Sequence, residues 1–209
     1  MKKPSLTWCL SGVAAMILTA CSSSTDVVTR ANDTPVVNTS VAAAAQFGAA
    51  TQETPMRVYL TGYSYWDNTP RGSARIAHPI VRRKAGGTGT YDDPVTIAVG
   101  HSKRGQRSTP DYQPGTRFYI ESLRRYAIVE DVCGDGPRPQ NGPCHVGYKG
   151  YPWLDIWVGG KNVEKSFVKR CMYRLTGLQR VIKNPRPDYQ VVPGEISASG
   201  CAVVGRPTS

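Results

Sequence analysis

Three carboxylates each stand at or near the end of a short apolar or aromatic run. Asp67 ends TGYSYWD, Asp131 ends YAIVED, and Asp155 lies inside YPWLDIWV, just ahead of Gly159 and Gly160. Residues of this type in such settings suit acid and base work on sugars, because a carboxyl pair flanking a glycosidic bond can protonate the leaving oxygen and activate water. Aromatic neighbours desolvate one carboxyl, raise its pKa and keep it protonated as the general acid. Flat rings also stack on the apolar faces of sugar rings, which makes Tyr63, Tyr65, Trp66, Tyr151, Trp153 and Trp157 candidate subsites. The competing reading is a buried Asp satisfied by backbone donors, with the aromatics packing on one another as core and rim.

Strands are needed to bring these ends together. In extended backbone Tyr151, Trp153, Asp155 and Trp157 point one way and Leu154, Ile156 and Val158 the other, so the acid shares a face with the rings while the aliphatic face makes core. The same alternation puts Tyr63, Tyr65 and Asp67 on one face. Residues 56–209 are rich in Gly, Pro, Tyr, Val and Ile, in short runs broken by turns, which predicts one all-β domain with a proper core. The strand candidates are Arg57 to Tyr65, Val95 to Val99, Arg117 to Glu121, Tyr126 to Val129, Leu154 to Val158, Cys171 to Leu175 and Gln179 to Ile182. The short connection from Glu121 to Tyr126 predicts a hairpin. One short helix is expected over Val163 to Val168, with Asn162 as its cap. The Gly-rich GGTGTYDD, residues 86–93, lacks the following helix and Lys of a phosphate loop.

The N-terminus carries Lys2 and Lys3, an apolar stretch through Val13 to Ile17, and Leu18-Thr19-Ala20-Cys21. This pattern is a secretory signal over residues 1–20, too short in its apolar part to span a bilayer, and its end resembles the bacterial lipobox. Cys21 is then the lipidated residue, and Ser22 after it points to the outer membrane and periplasm where two membranes exist. Residues 21–55, dominated by Ser, Thr, Ala, Val and Asn, read as a flexible tether. The cysteines left for the domain are Cys133, Cys144, Cys171 and Cys201. In an exported chain they favour two disulfides, Cys133 with Cys144 and Cys171 with Cys201, although other pairings remain open.

The chain carries 26 Lys and Arg against 15 Asp and Glu. With Lys2 and Lys3 removed the net charge is about +9, which draws the protein to anionic polymers such as peptidoglycan, wall acids or lipopolysaccharide rather than to nucleic acid. No cofactor is expected, and no metal: His145 alone lies beside a Cys, at no familiar zinc spacing. His78, His101 and His145 are isolated, and no Ser stands in a nucleophile elbow.

PGTRFYI (Pro114 to Ile120), VEDVCG (Val129 to Gly134) and LDIWVGG (Leu154 to Gly160) together resemble, in order, the motifs of double-psi β-barrel proteins. These include rare lipoprotein A, three-aspartate lytic transglycosylases, expansins and family 45 endoglucanases. The resemblance covers about residues 57 to 182 and implies a six-stranded double-psi barrel with a polysaccharide groove across it. By the same resemblance Asp155 matches the family acid, Asp131 the supporting Asp of the transglycosylases, and Asp67 the endoglucanase base. Trp153-Leu154 replaces the usual His-Phe, two extra residues lengthen the stretch from Thr61 to Asp67, and an insertion separates Asp131 from Asp155. The expectation is a monomeric envelope lipoprotein that cleaves peptidoglycan glycan strands with Asp155 as general acid. The alternative is a non-catalytic, expansin-like wall-binding or wall-loosening module.

Overall fold

The computed structural model describes residues 52–203. The signal, Cys21 and all but the last few residues of the tether lie outside that range. The alternating pattern of the described chain produces eight strands: β1 (Thr54–Tyr63), β2 (Val95–Val99), β3 (His101–Arg104), β4 (Arg107–Pro110), β5 (Arg117–Ile120), β6 (Arg125–Val132), β7 (Trp153–Trp157) and β8 (Gly177–Lys183). Six of them close into a barrel in the order β1-β7-β2-β6-β5-β8, while β3 and β4 form a separate hairpin. Closure removes the open edges of these six strands. Two of the barrel pairs, β1 with β7 and β2 with β6, are parallel and the others antiparallel. The expected hairpin is the β5–β6 pair.

The interior is aliphatic because every second residue of the strands points inward. Val58 and Leu60 of β1, Ile97 and Val99 of β2, and Leu154 and Ile156 of β7 are fully buried there. Each side chain of this size contributes roughly 1.5–3 kcal/mol when removed from water. Two disulfides, Cys133–Cys144 and Cys171–Cys201, tie down the loop after β6 and the C-terminal tail. They are the pairs favoured from loop length, and loops of this size give typically 2–4 kcal/mol per bridge.

Several elements differ from the sequence expectation, among them the β3–β4 hairpin and the short helix α1 (Pro143–Val146), which it did not include. Cys171 to Leu175 is helix rather than strand: it ends α2 (Lys165–Leu175). Val168, Cys171 and Leu175 are the buried residues of α2, a helical spacing that the short strand-like run concealed. The helix begins two residues later than expected and is capped by Glu164, whose carboxylate accepts the Phe167 amide at 2.9 Å, rather than by Asn162. The first strand starts at Thr54, inside the stretch read as tether, because Thr54 to Leu60 pair with Lys183 to Gly177 of β8.

Candidate active site

The strand register brings the acids together. Thr61 of β1 lies opposite Asp155 of β7, Asp155 opposite Ala98 of β2, and Ala98 opposite Asp131 of β6, so the four form one row across four neighbouring strands. Asp131 joins this row through a bulge. Ile97 pairs with Val129 and Ala98 with Asp131, which leaves Glu130 as an extra residue that shifts its neighbour into register. Glu130 itself is completely buried.

Asp155 is the most perturbed carboxyl of the row. Burial is the main cause, and the charges of Asp67, Asp135 and Asp131 add to it, so that its pKa is raised to about 7 against a hydrogen bond that lowers it. That bond comes from Thr61, whose Oγ1 donates to Asp155 Oδ1 at 2.7 Å, and Thr61 Oγ1 in turn accepts from Trp153 Nε1 at 2.7 Å. Asp155 Oδ2 accepts no hydrogen bond within the described residues and is not among the sealed polar atoms, so it reaches solvent. The acid is therefore crowded by protein on most sides, fixed at one oxygen and open at the other.

Asp131 is tied at both oxygens. Oδ1 accepts the amides of Ala77 (3.0 Å) and Val132 (2.9 Å), and Oδ2 accepts the Tyr63 hydroxyl at 3.1 Å. Burial raises its pKa, opposed by these donors. Asp67 is exposed and uses Oδ1 to close a turn, accepting from the Ser64 amide (2.7 Å) and hydroxyl (2.6 Å). Its second oxygen is unengaged among the described residues, and the side chain lines a recess of about 510 Å³ together with Thr61, Trp66 and Trp153.

The aromatic candidates divide between that recess and others. Trp66 and Trp153 line the first recess, with Tyr59 added, a ring the sequence reading did not single out. Tyr65 and Trp157 line a second recess of about 560 Å³. Tyr151 lies in a third, beside Trp153 and the pair formed by His145 Nδ1 and Asp111 Oδ1 at 2.6 Å. Tyr63 is buried, packs edge to face on Trp157 with ring centres 5.2 Å apart, and aims its hydroxyl at Asp131. Burial and the Asp131 charge push that phenol well above its ordinary pKa.

The two glycines after β7 hold the rings in place. Gly159 and Gly160 adopt φ of 86° and 91°, a region that favours glycine, and a Cβ on Gly160 would stand 2.7 Å from Val168 of α2. The Gly159 carbonyl accepts the Tyr65 amide at 3.0 Å, and the Gly160 carbonyl accepts Trp66 Nε1 at 2.8 Å. The double glycine following the acid thus anchors the Tyr65–Trp66 step. Among the described residues no group of three or more His, Cys, Asp or Glu is placed to hold a metal ion.

The sequence reading missed Thr61, Tyr59 and the cations of the recesses. Thr61 carried one usable signal, its place two residues before Tyr63 on the same strand face. Lys165 and Lys169 are spaced one helical turn apart, a signal hidden while their segment was read as a shorter helix followed by a strand.

Residues 55–202 match the model of the DDB_G0273701 N-terminal domain family, and the chain belongs to that family. An uncharacterized protein of Dictyostelium discoideum is 31% identical over 135 residues, covering 63% of this chain and 52% of the relative. The chain thus spans about half the length of the curated relative it matches. No solved structure matches it.

Proposed function

We propose that this member of the DDB_G0273701 N-terminal domain family acts on polysaccharide, with Asp155 as the general acid that breaks glycosidic bonds in glycan strands. The observation that carries the reading is the Asp155 carboxyl itself. Burial raises its pKa to about 7, so that a large share keeps its proton just below neutral pH, Thr61 holds it at Oδ1, and Oδ2 is left free of any protein donor among the described residues. The two parallel pairs in a closed six-stranded barrel fit the double-psi resemblance, and that resemblance supplies the groove.

In this reading the proton of Asp155 passes to the glycosidic oxygen as the bond from that oxygen to the sugar C1 breaks, leaving an oxocarbenium-like sugar. In transglycosylation a hydroxyl of the same sugar then closes on C1, and its proton returns to the Asp155 carboxylate. In hydrolysis a water attacks instead, and Asp67, with one oxygen free on the recess, takes its proton. Asp131, engaged at both oxygens, positions Tyr63 rather than touching the sugar.

Peptidoglycan is the polymer to try first, because the lipobox-like N-terminus and the basic surface belong with an exported, lipid-anchored envelope protein. A second reading, a non-catalytic wall-binding or wall-loosening module, draws on the hydrogen bond from Thr61, which also suits a purely structural acid. Incubating the full chain and Asp155→Asn with purified sacculi, followed by mass spectrometry of soluble products, separates the possibilities. Anhydro-sugar ends released by wild type alone mean transglycosylation, and reducing ends mean hydrolysis. Sedimentation with sacculi but no release from wild type overturns the catalytic reading in favour of the second.

A further inference from the structure

Trp66 and its chain neighbour Tyr65 line two different recesses, and in both the cations outnumber the carboxylates. Trp66 borders the first recess, where Arg71, Lys165 and Lys169 face a single carboxylate, Asp67. Tyr65 borders the second, where Arg75, Arg83, Lys84 and Lys161 face only Glu195. None of these seven cations forms an ion pair with another described residue, whereas Arg82, Arg180 and Arg186 elsewhere each have a carboxylate partner. The two acids are meanwhile committed locally. Asp67 closes its turn on Ser64, and Glu195 accepts from the Gly160 amide (3.0 Å) and the Ser197 hydroxyl (2.5 Å).

Like charges converging on a concave surface repel one another and focus a positive potential into it, which an anionic ligand relieves. We infer that the two recesses bind successive units of a glycan bearing carboxylate groups, draped over the Tyr65–Trp66 step. The inference rests on the polysaccharide reading above and adds the charge of the polymer. The step is a built feature, since Tyr65 and Trp66 are held through the carbonyls of Gly159 and Gly160. Their rings meet edge to face at 85° with centres 5.5 Å apart, so they cannot offer the parallel platforms on which consecutive nucleic-acid bases stack. A sugar needs one ring face at a time, and its carboxylate can reach the Lys and Arg on either side. The first recess is also lined by Thr61 and Trp153, and Thr61 donates to Asp155 behind the wall, so a polymer in that recess would lie one side chain away from the acid.

Binding by the full chain to an oligogalacturonate and to its methyl ester tests this, because the two differ only in charge. The acid form is expected to bind at least about tenfold tighter at low salt, with the difference shrinking as salt screens it. Lys165→Gln with Lys169→Gln, and separately Arg83→Gln with Lys84→Gln, are each expected to weaken the acid form about three- to tenfold and leave the ester unchanged. These side chains are exposed, so the variants keep the fold. Equal affinity for acid and ester, or both double variants binding as wild type does, overturns the inference. So does an oligothymidylate of equal charge competing as well as the oligogalacturonate, which would mark a general polyanion surface. Carboxylate-dependent binding without any release of fragments from sacculi upholds the inference while the catalytic reading fails, so the two fail separately.

Discussion

Glu130 and Asp155 are acids withdrawn from water on the two strands that flank β2, yet they are equipped in opposite ways. Glu130 has no exposed surface and five donors: the amides of Ile80, Val81 and Arg82 at Oε1, and the Thr96 hydroxyl and Arg82 guanidinium at Oε2. Asp155 has one donor and a free oxygen. The five donors around Glu130 let it tie a loop to a strand, whereas burial with a single donor raises the Asp155 pKa and leaves one oxygen available. The contrast separates an acid that builds the fold from one that can work on a ligand, although both stand in strands of similar sequence.

The sharpest way to break this contrast is to remove the builder. Glu130→Ala leaves the amides of Ile80, Val81 and Arg82 and the Thr96 hydroxyl without their acceptor and removes one of the two carboxylates paired with Arg82, which keeps Asp93; loss of a buried, many-donor carboxylate of this kind costs about 3–5 kcal/mol. Chemical denaturation is expected to report that loss, and a variant within about 1 kcal/mol of wild type would remove Glu130 from its structural role. Asp155→Asn is expected to do the reverse. It keeps an acceptor for Thr61, retains the fold, and slows glycan release by about 10²- to 10⁴-fold, the usual contribution of a general acid. In wild type the rate should fall as pH rises through about 7, because only the protonated acid donates. A rate that instead rises through that range would mean that Asp155 works as a base.

The sequence disclosed Asp155 because the alternation in WLDIWV is unbroken, with Leu154 and Ile156 buried behind the acid. It disclosed most strands and the two disulfides for similarly local reasons. Asp131 was singled out over Glu130 by its place at the end of the run and by resemblance, but the cause was not legible: VED offers two adjacent acids, and the bulge opposite Ile97 and Ala98 decides which one enters the row. The partner of Asp155 was hidden too, since Thr61 is 94 positions away and meets it only through parallel pairing of β1 with β7. The recess cations belong to loops and a helix whose relative placement follows from packing. In sequence these residues added to the net charge of about +9 without marking a groove.

The raised pKa of Asp155 also makes stability depend on pH. An unfolded Asp ionises near pH 3.9, about three units below Asp155 in the fold. Between these values the native state holds a proton that the unfolded chain has lost, so stability falls as pH rises from about 4 to about 7 and the penalty persists above. Full ionisation costs up to roughly 4 kcal/mol, an upper limit because Oδ2 touches water. Asp155→Asn is therefore expected to match wild type near pH 4 and to exceed it in stability at pH 8. Equal melting temperatures at pH 8 would mean that burial does not perturb the acid, and the contrast with Glu130 would collapse.

The smallest effect is the most specific to the geometry. Thr61 donates to Asp155 Oδ1, and this bond favours the ionised form, opposing the burial that raises the pKa. Thr61→Val keeps the shape and removes the donor, so the acid should titrate at higher pH and the falling limb of the rate profile should move upward. The maximal rate at acid pH should change little, because the reacting proton remains available there. The variant also removes the acceptor for Trp153 Nε1 and frees that ring, which should weaken glycan binding slightly. A limb that stays in place while binding weakens would assign Thr61 to holding the tryptophan alone. A limb that moves upward would identify it as the residue that keeps the acid within reach of neutral pH.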